Sequence, residues 1–250
     1  MRIKPFTLTV ISLVAVFGIV FFLANKDSFI SEKKIFASVP IRDTLFSLPT
    51  HPDRIPALLI KRNEKDTGSS PMRISKLKLN VEVTGNIATT VMDITFYNDL
   101  NRVLDGEFCF PLGEGQTVSY FAMEGPNGLL EASVVEKAKG RAVYESVVRR
   151  QVDPALLEWT AGNNFRSRIY PIPAKGYKRI LIGFDQKLLL TGNGYLYYQP
   201  FFFKDKVDEF SLRTEVFQQE IKPELYGSEK VTLQFNKWKE NWIAQTSVPA

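Results

Sequence analysis

Residues 5 to 24 contain no charged side chain, and this run constrains the chain's choice of structure more than any other feature. Wound as a helix at about 1.5 Å per residue, it matches the ~30 Å hydrocarbon layer of a bilayer. Arg2, Lys4 and the free amine precede it, so the positive-inside tendency keeps the amino terminus in the cytoplasm and puts everything after Asn25 outside. Lys26, Lys33 and Lys34 soften that contrast. A cleaved signal peptide is the competing reading. However, no small-x-small site closes the run, because Phe22 and Ala24 occupy the last candidate, and no lipoprotein cysteine follows. The expectation is a cytoplasmic stub and single transmembrane helix over residues 1–24. The protein would then be single-pass in the cytoplasmic (inner) membrane, with the bulk of the chain periplasmic or extracellular.

The remainder has ordinary globular composition, with 44% hydrophobic and 24% charged residues in a chain of 250, enough for one good-sized domain or two small ones. Lys+Arg total 32 against Asp+Glu 27, and no stretch concentrates the excess, which argues against a nucleic-acid partner. Cys109 is the single cysteine and His51 the single histidine, so an internal disulfide, most zinc sites, Ser-His-Asp triads and Cys-His dyads are excluded. His51 sits between Thr50 and Pro52 with no second metal ligand near it and reads as a linker residue. No metal and no cofactor are expected.

Residues 25–71 read as a linker or stalk. Pro40, Pro49, Pro52 and Pro56 bar a long helix, and the polar run from Lys61 to Ser70 has the composition of a boundary. From Leu77 the pattern changes. Leu77, Leu79, Val81 and Val83 alternate with Lys78, Asn80 and Glu82, the two-residue period of a half-buried strand. After a turn at Thr84-Gly85-Asn86, Met92, Ile94 and Phe96 alternate with Asp93 and Thr95, which completes a hairpin pattern. Phe108 and Phe110 share one face of a further strand, and 118–123, 165–169, 179–184 and 187–190 continue the series. Val134 to Gln151 lacks proline and is expected to be mostly helical, leaning on the sheet because Gly140 costs about 1 kcal/mol relative to alanine. The expected fold is mainly β: an antiparallel β-sandwich over 72–190 with one short α-helix, preceded by the transmembrane helix. Residues 191–250 add β-strands that complete the same sandwich or begin a second. Gln245 to Ala250 reads as an interrupted strand.

Several features admit a chemical reading beside a structural one. Gly113-Glu114-Gly115 lacks the Gly-Lys-Ser/Thr end of a phosphate loop and reads as a hairpin turn. Cys109 points away from its flanking phenylalanines and is expected to be a small, inert buried thiol. Arg149-Arg150 and Arg166-Ser167-Arg168 read as a solvated face, since residues 72–190 carry 15 basic and 13 acidic side chains. Glu136, Glu145 and Glu158 are numerous enough for a glycosidase pair, but sequence cannot place two of them about 5–10 Å apart across a cleft. In the aromatic run 195–203, alternate residues of an ordinary strand enter the core.

Residues about 77–190 resemble the VIT domain, named for vault proteins and inter-alpha-trypsin inhibitor heavy chains. The resemblance rests on the order of several motifs. These are Ala88-Thr89-Thr90-Val91 leading to Phe96-Tyr97-Asn98, Gly106-Glu107-Phe108-Cys109-Phe110-Pro111-Leu112, Val118-Ser119-Tyr120-Phe121-Ala122-Met123, Glu136-Lys137-Ala138 with Ala142 and Tyr144, Ala155-Leu156-Leu157-Glu158, and Phe165 followed by Ile172-Pro173. It implies a compact β-sandwich without catalytic activity, in secreted or surface proteins and commonly next to a von Willebrand A domain. The Asp-x-Ser-x-Ser metal motif of that neighbouring domain is absent here. In layout, the chain is also similar to membrane-bound VIT proteins that accompany bacterial exosortase systems. The expected function is therefore a non-catalytic, membrane-anchored protein that holds a protein partner or surface polymer. The alternatives are an envelope hydrolase or processing enzyme using carboxylates or Cys109, and a purely structural spacer.

Overall fold

The computed structural model describes residues 15–24, 56–63, 65–136, 156–160, 163–191, 194–203, 207–227 and 233–249, and every regular element among them is a strand. Numbered in chain order, eight strands form the largest sheet. Its order is β17 (Asn236–Trp238), β18 (Asn241–Pro249), β15 (Glu209–Phe217), β4 (Arg73–Thr84), β5 (Ile87–Tyr97), β12 (Tyr177–Lys187), β7 (Gln116–Gly125) and β8 (Gly128–Glu131). A six-stranded sheet runs β3 (Ser70–Pro71), β2 (Ala57–Ile60), β6 (Leu104–Pro111), β11 (Asn164–Ile172), β10 (Leu156–Thr160) and β9 (Ser133–Glu136). A four-stranded sheet runs β13 (Leu189–Thr191), β14 (Gly194–Phe203), β1 (Ala15–Ala24) and β16 (Glu224–Gly227). Neighbours are antiparallel except β15 beside β4 and β10 beside β9, so the sandwich is mixed rather than purely antiparallel.

Alternation builds the largest sheet as the sequence leads one to expect. Leu77, Leu79, Val81 and Val83 of β4 and Met92, Ile94 and Phe96 of β5 are buried, while Lys78, Asn80 and Glu82 face solvent. A two-residue loop joins the strands, and its Gly85 holds φ at 59°, the region that primed hairpin turns need and glycine supplies without steric cost. The six-stranded sheet closes over this apolar face. Phe108 of β6 lies with its ring centroid 6.3 Å from that of Phe96 and 5.9 Å from that of Phe121 of β7, and Phe110 lies 5.8 Å from Phe184 of β12. Aromatic rings from both sheets therefore fill the middle of one continuous core.

Four expectations need correction or restriction. First, Ala57–Ile60 does not belong to a stalk: it is β2, paired with β6, and Leu58 and Ile60 are buried in the sandwich. The domain therefore begins upstream of residue 72. Second, Val134 to Glu136, expected to open a helix, lies in β9 in register with Leu157–Trp159. Successive β-branched valines suit an extended edge, and parallel neighbours require the long crossover that 137–155 supplies. Residues 137–151 of the expected helix lie outside the described residues. Third, Ala15–Ala24, within the expected transmembrane helix, is extended and pairs with β14 and β16. Its density of Val, Ile and Phe favours a strand once two partner strands are available. Residues 1–14 lie outside the described set, and no helix among the described residues is long and apolar enough to cross a membrane. Fourth, of the two readings of the tail, β15 and β18 follow the first by extending the largest sheet beside β4, while β14 and β16 lie in the four-stranded sheet.

Thr214 of β15 is fully buried opposite Val81 and Ala244, and its hydroxyl has no hydrogen-bond partner among the described residues. Valine has the same shape without the orphaned polar atom. Thr214→Val is therefore expected to stabilise the fold by about 1 kcal/mol and raise Tm by roughly 2–4 °C in a thermal scan. A fall in Tm would show that the hydroxyl is satisfied.

Candidate interaction surface

Apolar side chains fill most of the interior and most charged groups lie on the two outward faces; Lys178 is an exception, buried in the inward row of β12 with its Nζ donating to Glu124 O at 2.6 Å. On the six-stranded sheet, Asp105, Glu107 and Cys109 alternate with inward Leu104, Gly106, Phe108 and Phe110. Across the strand pair, Arg166 stands opposite Cys109 and Arg168 opposite Glu107, and each arginine reaches diagonally to the next acid. Arg166 Nη1 donates to Glu107 Oε1 at 2.9 Å, and Arg168 Nε and Nη2 both donate to Asp105 Oδ2, at 3.0 and 2.6 Å. Arg166 and Arg168 thus form a neutralised, solvated face, while Ser167 between them is buried on the opposite side of the strand. Glu158 stands opposite Arg166 on its other side.

Cys109 is half-buried. Burial pushes its thiol above the ordinary value, Glu107 adds to the shift, and Arg166 opposes it. That direction is opposite to the one an activated thiolate requires. Glu136 falls on β9 opposite Trp159, while His51, Glu145, Arg149 and Arg150 lie outside the described residues. The described residues hold no group of three or more His, Cys, Asp or Glu placed to bind a metal. Gly113-Glu114-Gly115 is a turn between β6 and β7: Gly113 N donates to Gln116 Oε1 at 2.8 Å, and Asn163 Nδ2 donates to Gly113 O at 3.0 Å.

The outer face of the largest sheet is mostly polar. Arg179 of β12 donates through Nε and Nη2 to the two oxygens of Asp93 on β5, each at 2.8 Å, a bidentate pair that raises the guanidinium pKa. Lys76 of β4 lies 2.7 Å from Glu209 of β15; the hydrogen bond raises the ammonium pKa and holds the carboxyl below its usual range. Arg73 pairs with Asp208. Gly183 of β12 leaves room for Tyr120 beside it, since a Cβ at that glycine would meet Tyr120 Cβ at 3.0 Å.

At one end of this face Tyr177 opens β12 directly opposite Tyr97, which closes β5, and Arg73 follows in the same row on β4. The two tyrosine rings are 5.0 Å apart between centroids and tilted by 43°, and Tyr177 is 55% exposed, so half its area is available to a partner. The loops beneath are pinned by the fully buried Asn98. Its Nδ2 donates to Arg102 O at 2.9 Å and to Pro173 O at 2.8 Å, and its Oδ1 accepts from Leu100 N at 2.9 Å. This aromatic pair was not visible in the sequence, where its members are far apart. The only trace is a tyrosine at the polar end of each of two alternating runs.

The family model of the vault protein inter-alpha-trypsin domain matches residues 74–184, which span most of β4 through β12 and include both tyrosines of this aromatic pair. No curated protein matches the chain. Among solved structures, an M1 zinc metallopeptidase from Deinococcus radiodurans is similar at 11% identity and TM-score 0.39, over 70% of this chain and 38% of that one. A putative protease from Parabacteroides distasonis is similar at 8% identity and TM-score 0.36, over 71% and 35% respectively. Legionella pneumophila aminopeptidase A is similar at 13% identity and TM-score 0.38, over 75% and 21%. The chain spans about two fifths of the length of the Deinococcus enzyme and less of the other two. Through residues 74–184, this protein carries a vault protein inter-alpha-trypsin (VIT) domain.

Proposed function

We propose that the protein is a non-catalytic binding module that holds a protein partner or surface polymer through the outer faces of its sandwich, anchored outside a cytoplasmic membrane by its amino-terminal segment. The observation that carries the reading is the Tyr97–Tyr177 pair, displayed on a rigid sheet beside Arg73 and Arg179. Tyrosine and arginine are among the residues enriched at hot spots, and a preformed sheet surface binds without a cost for ordering a loop. The filled core supports the same reading, because it leaves contact rather than enclosure as the means of action. The charge-free run of residues 5–24 supports the anchor.

A photoreactive amino acid in place of Thr95, next to the tyrosine pair on β5, is expected to give a discrete adduct in intact cells. Tyr177→Ala is expected to weaken that adduct about tenfold or more while leaving the fold intact. An adduct indifferent to Tyr177→Ala would move the binding surface elsewhere. For topology, alkaline phosphatase fused after Ala250 is expected to be active, and an inactive fusion would overturn the placement outside the membrane.

A further inference from the structure

The four-stranded sheet holds a contradiction with the chain's hydropathy that has a functional consequence. β1 pairs with β14 at ten successive positions, from Ala15 opposite Phe203 to Ala24 opposite Gly194, and with β16 from Ile19 opposite Gly227 to Phe22 opposite Glu224. It lies between β14 and β16, which meet only through it. Yet the same ten residues are half of the uncharged run that suits a bilayer. The two states exclude each other: in lipid a lone segment must satisfy its backbone internally as a helix, whereas β1 spends its backbone groups on β14 and β16.

We propose that the slot between β14 and β16 is a strand-acceptor site, filled by the chain's own β1 in the state described and vacated when residues 5–24 enter a bilayer, whereupon it takes an uncharged, apolar extended segment of a partner protein. The proposal deepens the binding reading above and rests on its membrane anchor. Three observations support it. β14 is fixed to the sandwich independently of β1: Tyr197 is fully buried with its hydroxyl 2.9 Å from Thr90 Oγ1, and Gln199 Oε1 accepts from Gln116 Nε2 at 3.0 Å. The slot therefore keeps one wall when β1 leaves. The connection from residue 25 to residue 56 has 32 residues, a reach of about 100 Å when extended, so β1 can depart without pulling on β2. Finally, a vacated β14 presents a ten-residue edge of unpaired backbone groups, interrupted at Pro200, which has no N–H to donate; such an edge is the feature that recruits a further strand. β1 itself defines the chemistry of the occupant, since no charged residue lies in it or in β14.

The test uses the full chain and a peptide of residues 15–24 flanked by lysines for solubility. Amide hydrogen exchange is read at 194–203, with 87–97 in β5 as the internal reference. Without lipid, 194–203 are expected to be protected and the peptide not to bind. In vesicles of phosphatidylethanolamine and phosphatidylglycerol, exchange at 194–203 is expected to rise at least 100-fold with 87–97 unchanged, and the peptide to restore protection. The same peptide carrying Val20→Pro is expected to fail, because proline removes a ladder donor. Unchanged protection at 194–203 in chains that have entered the vesicles would overturn the proposal. A variant lacking residues 1–24 separates the slot from the anchor. If it is folded by the exchange of 87–97 and binds the peptide at micromolar concentration, the slot stands even where the full chain ignores vesicles and the anchor fails. If it is folded and does not bind, the slot is refuted whatever the membrane result.

Discussion

Phe108→Ala is expected to lower the stability of the sandwich by about 3–5 kcal/mol, the range found when a buried aromatic ring is truncated and the surroundings cannot collapse. Phe108 is wholly buried, with Phe96, Phe110 and Phe121 ringing it at 6.3, 6.3 and 5.9 Å between centroids. Those neighbours belong to β5, β6 and β7, and so to both sheets, and each is held by its own strand ladder. Their strand ladders hold the backbones in place, so the rings relax into the space only in part and the remaining cavity lining loses dispersion contacts as well as hydrophobic transfer energy. Urea unfolding measures the effect as a drop in midpoint at constant m. Arg166→Ala, on the same sheet but half-exposed in a surface ion pair, is the control and is expected to change stability by no more than about 1 kcal/mol. A loss below about 1 kcal/mol for Phe108→Ala would mean that the two sheets do not enclose this ring.

Leu58→Ala is expected to cost about 2–5 kcal/mol, although the sequence around it reads as a stalk. A true stalk residue would change stability by less than about 0.5 kcal/mol. Leu58 is fully buried, stands opposite Phe108 in the β2–β6 ladder, and its carbonyl accepts from Met72 N at 2.8 Å. Gly106 makes its seat: a Cβ there would come within 2.9 Å of Leu58 Cδ1 and 3.0 Å of Ile172 Cδ1. The close packing of β2 on β6 thus depends on a residue with no side chain, and truncating Leu58 removes the group that the glycine accommodates. The same urea series settles the question, and a neutral Leu58→Ala would restore the domain boundary to residue 72.

What the sequence revealed and what it hid follow from how each strand is buried. β4, β5 and β12 have one face on the core and one in water, so Leu77, Leu79, Val81 and Val83 or Ile180, Ile182 and Phe184 carry the alternation openly. β2 carries only Leu58 and Ile60 and follows Pro56, too short a run to stand out from a linker. In β14, Leu196 and Tyr197 are adjacent yet both buried, which erases the period-two signal by covering both faces. The parallel neighbours β15 and β4 lie more than a hundred residues apart, and nothing local in either strand encodes that partnership. Residues 15–24 show the limit of hydropathy itself: an unbroken apolar run is equally suited to lipid and to the middle of a sheet, and the choice depends on partners elsewhere in the chain. The outer-face site was hidden for a related reason. Asp93 and Arg179, like Tyr97 and Tyr177, become neighbours only through the β5–β12 register, whereas the candidates that sequence singles out, Cys109 and the carboxylates, are distinguished by type rather than by what they meet.

A double-mutant cycle between Phe110 and Phe184 tests most directly whether the two sheets close on each other and fill the space between them, leaving only their outward faces to act. The rings belong to β6 and β12, with centroids 5.8 Å apart and planes tilted by 44°. Measured by urea unfolding of Phe110→Leu, Phe184→Leu and the double variant, a coupling energy of about 0.5–1.5 kcal/mol is expected from an aromatic pair in contact. Losses that add to within about 0.3 kcal/mol would place the two rings apart and contradict the closed sandwich.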